Sequence, residues 1–389
     1  MTRATNSRAP AGRWKLLPAR AFDSIAARWD ALNDAGFRSP VLHSDFVAPL
    51  LTHFGNGSER IAMMGSAADG PAQDPANLRR AVIVSRANAF VNDSYQPSQA
   101  PIGLWLQDDG SRGLPCADEM SALAATLGAT TTIVGLNQLD PEHVARCDDA
   151  GRATSDYIAT ARITISGSFD DYWAARGKNL RSNMKKQRNK LDAEGVALRF
   201  DCITDPKSVA AAIADYGRLE SAGWKAQGGT AVAADNDQGR FYREVFERFC
   251  ARGAGRIYRC FYGERLAAMD LCIAHAGVMV ILKTAFDETI KGTSPAFLMR
   301  HDYLPAIFAD KTFDRVEFYG RVMEWHTKWT DEVRTLYHAT TYRWPWVARL
   351  DAMRRARARK AAPIDTADAA LLVETTSDTT PAARESTTA

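Results

Sequence analysis

The chain has no Cys-x-x-Cys pair. Its six cysteines (Cys116, Cys147, Cys202, Cys250, Cys260, Cys272) are scattered along the chain. That excludes a zinc site or a disulfide scaffold and fits reduced thiols. No apolar stretch reaches the ~20 residues that span a bilayer. The best, Ala267 to Phe286, is broken by Asp270, His275 and Lys283. Met1 to Trp14 lacks an apolar core of signal-peptide length, so the chain reads as soluble and cytoplasmic. No charge of one sign dominates either. The balance of 49 Lys+Arg against 46 Asp+Glu is too even for a nucleic-acid coat. The glycine patterns G-x-G-x-x-G and G-K-[ST] are also missing.

What is present is enough to build cores: 46% of the 389 residues are hydrophobic, which excludes disorder throughout. The even charge is a cancellation. Ala362 to Ala389 holds five acids against one base, so the rest of the chain is distinctly basic. The length suggests two domains, with 1–150 first, 160–345 second, and 346–389 a basic helix followed by an unfolded acidic tail.

Periodicity predicts helices at Phe22–Leu32, Pro40–Phe54 and Asp118–Leu127 in the first half. Strands are expected at Ile61–Met64, Ala81–Val84, Gly103–Leu106, Thr130–Leu136 and Tyr157–Ile165, with a polar linker at Asp148–Ser155. In the second half, one or two helices cover Phe169–Leu191 before a strand at Val196–Phe200. Helices at Asp205–Ala226 and Asp237–Ala251 lead into a meander of Arg256–Tyr262, Leu266–His275 and Val278–Phe286. A helix at Ser294–Phe308, strands at Arg315–Tyr319 and Thr335–Tyr342, and a basic helix at Trp344–Ala361 complete the order. The pattern is α/β, a mixed sheet covered by helices.

Five features could carry chemistry. A two-residue hairpin at Ala276–Gly277 with constant register sets Asp270 opposite Lys283 on one face. That pair either fixes register or forms the floor of a polar pocket. Val209, Ile213, Tyr216, Glu220 and Trp224 share one helix face, which makes Glu220 either a rim carboxylate paired with Lys225 or a candidate proton acceptor. Ser294 and Pro295 open a helix with no acid in its first turn, which is either an ordinary cap or a phosphate cradle. The run Arg176, Lys178, Arg181, Lys185, Lys186, Arg188, Lys190 is either a solvated face or a clamp for a nucleotide cofactor or a tRNA end. Tyr319 to Trp329, with His326 and Lys328, reads as a loop that binds or plugs.

Taken in order, these pieces resemble a known group. They are Lys178–Lys186, Leu219–Lys225, Gly228–Val232, Leu282–Glu288, Ser294–Leu298, Glu317–Gly320 and the pair Lys328-Trp329. Together they resemble the acetyltransferase domain associated with bacterial cellulose and exopolysaccharide biosynthesis, a branch of the GNAT superfamily. The resemblance covers roughly Ile165 to Arg343, while the first half looks like a degenerate second copy, as in the related Fem-type aminoacyltransferases. It implies a tandem GNAT-like fold, acetyl-CoA or another acyl-CoA as co-substrate, and an amine or hydroxyl acceptor, with a small molecule or saccharide precursor as candidate. No metal is implied. Ser294, Pro295 and Ala296, with Arg181 and Lys185, would hold the pyrophosphate. Glu220, Asp287 and Lys328 would act near the acceptor, and Trp224, Lys225, Asp270, Lys283, Tyr319, His326 and Trp329 would line it. The Q/R-x-x-G-x-G/A loop of typical GNAT enzymes is lacking. Fem-type transfer from aminoacyl-tRNA and a catalytically dead binding module are the alternatives.

Overall fold

The computed structural model describes residues 13–65, 78–108, 113–147, 151–221, 232–233 and 235–361. Two compact units result, one ending at Arg343 and one beginning at Trp344. Among the described residues of the first, 13 strands form one mixed sheet.

The first half begins with β1 (Trp14–Pro18), α1 (Ala26–Ala35) and α2 (Ser44–Phe54). β2 (Arg60–Gly65), β3 (Leu78–Arg86) and β4 (Val91–Ser94) follow as an antiparallel meander. After β5 (Trp105–Gln107) and α3 (Ala117–Leu127), β6 (Ile133–Leu139) runs parallel to β4. β7 (Arg152–Thr164) closes this half. Its strand begins at Arg152, inside the segment expected to be a linker, because Arg152–Ser155 pair with the last strand of the chain.

The second half repeats the order. α4 (Phe169–Ala174) and α5 (Lys178–Ala193) are separate helices, broken at Gly177. β8 (Leu198–Ile203), α6 (Val209–Ser221) and α7 (Asp237–Ala251) lead into β9 (Gly255–Tyr262), β10 (Arg265–His275) and β11 (Val278–Phe286). Then come α8 (Pro295–Ala309) and β12 (Arg315–Glu317), parallel to β11. α9 (Glu324–Trp329) replaces the expected loop, and β13 (Val333–Tyr342) ends the unit. The final strands are exchanged: β13 pairs with β6 of the first half, and β7 pairs with β12 of the second. The sheet is therefore continuous across both halves.

Side chains alternate between its faces. Met269, Leu271 and Ile273 join α2, α6 and α7 in one core, which both halves share through Phe46 and Phe54 against Phe241. Ala268, Cys272 and Met279 join α8 on the other face. The hairpin at Ala276–Gly277 has both residues at positive φ, as a type I′ turn requires, and glycine meets that demand without strain. In the second unit, α10 (Pro345–Ala361) is the expected basic helix.

Candidate active site

The parallel ladder of β11 with β12 is short, ending at Val280 opposite Glu317. β11 runs on to Phe286. The chain after β12 stays with β7 instead, through Phe318 N to Ala161 O (3.1 Å) and Val322 N to Ala159 O (2.9 Å). The two strands part, and a cleft of ≈ 320 Å³ opens between them. Antiparallel alternation from the His275–Val278 pair turns the backbone of Met279 and Ile281 away from β10. Met279 meets β12, whereas Ile281 meets the cleft.

Irregularities collect at this point. Ile281 pairs with Cys272 but Lys283 pairs with Leu271, so Leu282 is a bulge in β11. The β7 register skips Tyr157 and Ile158, and the β6 register skips Asn137 and Gln138 between Leu136 and Leu139. Gln138 and Tyr319 both have positive φ, at 53° and 47°. Leu282, Tyr157, Ile158, Gln138 and Tyr319 all line the cleft. Strained backbone of this kind persists only where surrounding packing enforces it, and functional sites are its usual address.

The bulge overturns one expectation. Asp270 lies opposite Thr284, not Lys283, and the two charges leave the sheet by opposite faces. On the α8 face, Arg300 grips Asp270 with two bonds of 3.0 Å, and Tyr303 and Thr284 donate at 2.9 and 2.5 Å. Asp270 is 0% exposed and Arg300 2%, so this network is closed to a substrate. On the α6 face, Lys283 Nζ donates to both Glu220 oxygens at 3.1 and 3.4 Å. Val232 N (2.8 Å) and Tyr216 OH (3.5 Å) also donate to that carboxylate. Lys283 lines the cleft with Tyr242, whose ring lies 5.5 Å from Nζ, while Glu220 is buried behind them.

Tyr319, in the cleft wall, has a buried hydroxyl with no hydrogen-bond partner among the described residues. Burial, then the carboxylates of Glu317 and Asp140, hold it well above the usual tyrosine range, so it keeps its proton. His326 and Trp329 are buried in α9. The His326 ring stacks on Trp325, and its Nδ1 accepts from Met323 N at 2.9 Å. Trp329 stacks on Phe297.

Burial and then Arg300 push His326 down to about 4. Its imidazole is neutral when folded, whereas the unfolded chain binds a proton below about pH 6.5. The stability it contributes is thus present above about pH 6.5 and is lost as pH falls toward 4. His326→Gln keeps an acceptor at the third helical position without the titration. It should show a smaller loss of urea resistance between pH 7 and 5 than the parent. An unchanged loss would remove His326 from the account.

The remaining expected residues are dispersed. Asp287 bonds Arg265 and Thr289; burial pushes its carboxyl up, but those bonds outweigh it and hold it below the usual range. Lys328 is exposed and pairs with Glu324 at 3.0 Å. Trp224 and Lys225 lie outside the described residues. Ser294 opens α8, its N–H donating to Gln187 at 2.7 Å, and Pro295 and Ala296 are buried. Lys190 Nζ would meet a Cβ at Gly292 at 2.6 Å, so Gln187 and Lys190 are the α5 side chains at this helix start. Arg181 and Lys185 are exposed, with Arg181 bonded to Arg176 O at 3.2 Å. Tyr157, Tyr242, Gln138 and Ser98–Pro101 were not anticipated; only Tyr242, beside Phe241 on an apolar face, carried a signal.

In the first half, β4 and β6 also part, after Asp93 and Gly135. There the gap is closed. Ser94 Oγ accepts from Asn137 N (2.8 Å), Gly103 N donates to Gln138 O (2.9 Å), and Gln96 bonds Ala100 O and Gln138 Oε1.

Residues 178–327 match the acetyltransferase (GNAT) domain family. No curated protein sequence matches the chain. Among solved structures, FemX is similar at 7% identity and TM-score 0.54, over 83% of this chain and 97% of its own. The C-terminal domain of a protein named as a lysylphosphatidylglycerol synthetase, from Agrobacterium fabrum, is similar at 12% identity and TM-score 0.51, over 85% and 96%. A tandem GNAT protein from the clavulanic acid biosynthesis pathway is 13% identical at TM-score 0.45, over 86% and 99%. The first two likenesses extend far beyond residues 178–327. The likeness in fold therefore runs across the whole sheet, and the match to the GNAT domain family lies in the second half.

Proposed function

We propose that the second half transfers an acyl group from an acyl-CoA to an amine or hydroxyl acceptor. The observation that carries this is the parting of β11 and β12, which leaves the backbone at Ile281 facing a cleft. A backbone N–H aimed at a carbonyl oxygen stabilises the charge that develops there during acyl transfer. The fit to CoA is supported by Lys190 at Gly292, a cation beside the start of α8, where phosphate would sit. When bound, the CoA thioester supplies the acyl carbonyl.

Among the described residues lining the cleft, Lys283 carries the charge. We assign Glu220 as the proton store behind it: a Lys283 proton passes to the carboxylate, and the neutral amine takes the proton from the attacking acceptor. The neutral pair is accessible because the carboxylate is buried. As the acceptor bonds to the acyl carbon the thioester C–S bond breaks, and the leaving sulfur takes up the proton that Lys283 removed from the acceptor. The first half acts as a degenerate copy, its gap filled by its own chain, and it lends Ser98–Pro101 to the cleft. The acceptor class is an amino sugar or polysaccharide precursor, suited to a wall of tyrosines and glutamines.

Acetyl-CoA at 100-fold over its Kd should stabilise the protein by about 2.7 kcal/mol in thermal unfolding. No shift at millimolar acetyl-CoA would instead favour a catalytically dead module. The exposed bases Lys178, Arg181, Lys185 and Lys186 favour a second reading, transfer from aminoacyl-tRNA. Aminoacyl-tRNA binding that weakens steeply with salt would support it.

A further inference from the structure

We propose that α10 is a surface anchor for a bilayer of anionic phospholipid. Trp346, Leu350 and Met353 are spaced four and three apart, so they form one row on the helix. They are 56%, 53% and 52% exposed, far more than large apolar side chains with a protein partner. Trp344 and Trp346 stack with centroids 5.7 Å apart, making a double ring at the helix start. Arg349, Arg354 and Arg357 are exposed around this row. The helix's one acid, Asp351, is held by Arg354 and Arg355.

The combination selects the partner. Tryptophan settles at the boundary between headgroups and acyl chains, with an apolar body inside and its N–H toward water. Leucine and methionine one turn on enter the same layer, and arginine stems run along it while their guanidiniums reach phosphate. Neither signal alone anchors firmly; an apolar row and a basic cluster together do. A nucleic acid would use the arginines but has no use for Leu350 and Met353. The chain's own tail, with five acids against one base after Ala362, is the competing occupant.

The test is flotation of the full chain with vesicles of phosphatidylcholine alone, or mixed equally with phosphatidylglycerol. The protein should float with the mixed vesicles only, and release as salt rises from about 0.05 to about 0.5 M. The apolar triple Trp346→Ser, Leu350→Ser, Met353→Ser and the charge triple Arg349→Gln, Arg354→Gln, Arg357→Gln should each lower the bound-to-free ratio at least about tenfold. Arg→Lys at the same three positions should retain binding, separating charge from damage to the helix. Failure of the full chain to float with the mixed vesicles overturns the proposal, the tail then being the better occupant. Loss in the charge triple alone, with RNA bound equally well, also overturns it.

Discussion

Replacing Arg300 by methionine is expected to cost about 3–5 kcal/mol of folding stability, the range for breaking a buried ion pair by removing one partner. Asp270 sits mid-strand in the centre of the second-half sheet, fully buried, and Arg300 supplies two of its bonds. Tyr303 and Thr284 remain, but they are neutral donors and cannot offset a carboxylate in that environment. The loss also reaches Trp325, whose ring lies 4.5 Å from the guanidinium. Adding Asp270→Leu to Arg300→Met should recover most of the loss, because an apolar pair has nothing to desolvate. Acetyl-CoA binding should survive in the double variant, since the pair is buried away from the cleft surface and Gln187 and Lys190 at the start of α8 are unchanged. Urea unfolding of the three proteins decides it. A single variant that loses less than about 1 kcal/mol would show that the pair is not the strut we describe.

Glu220→Gln should lower kcat by about 10²-fold or more, within the usual range for general acid–base groups. Glutamine keeps the shape and can still accept from Val232 N, so the fold around α6 should hold. What it removes is the negative charge facing Lys283 and the place where the proton is stored. The acetyl-CoA dissociation constant should change by no more than about twofold, since the effect falls on a group that does not touch the donor. The pH dependence of kcat should change as well, which a purely structural role would not produce. Lys283→Met should be at least as severe, and the double variant no worse than either single, because the two act as one unit. Equal turnover in Glu220→Gln and the parent would exclude this carboxylate from the proton path.

Much of the second half could be read from residues. The helix Asp237–Ala251 and the three meander strands lie where their periodicity puts them, because each element buries an uninterrupted apolar face. The hairpin's two-residue turn was also legible from Ala276–Gly277. The Leu282 bulge was not. A bulge has no residue signature, yet it moved Lys283 from Asp270 to Glu220 and so changed which charges meet. Glu220 was identified by its misfit on an apolar face; its partner lay 63 residues away, beyond the reach of local spacing. β1 and β4 were missed because Trp14–Pro18 and Val91–Ser94 are short and borrow their order from neighbours. α9 looked like a loop because its six residues are mostly charged or aromatic and its cap is His326 itself.

The exchange of β7 and β13 bears on how the chain is made. β6 is complete once Leu139 is in place, but the neighbour it needs, β13, is not synthesised until Val333–Tyr342. For nearly two hundred residues of elongation, the first half must hold an unfinished sheet edge, the kind of edge that invites pairing with other chains. Closure of that edge and completion of the cleft's frame are then one late event. The nascent chain is most vulnerable to aggregation just before its last strand emerges.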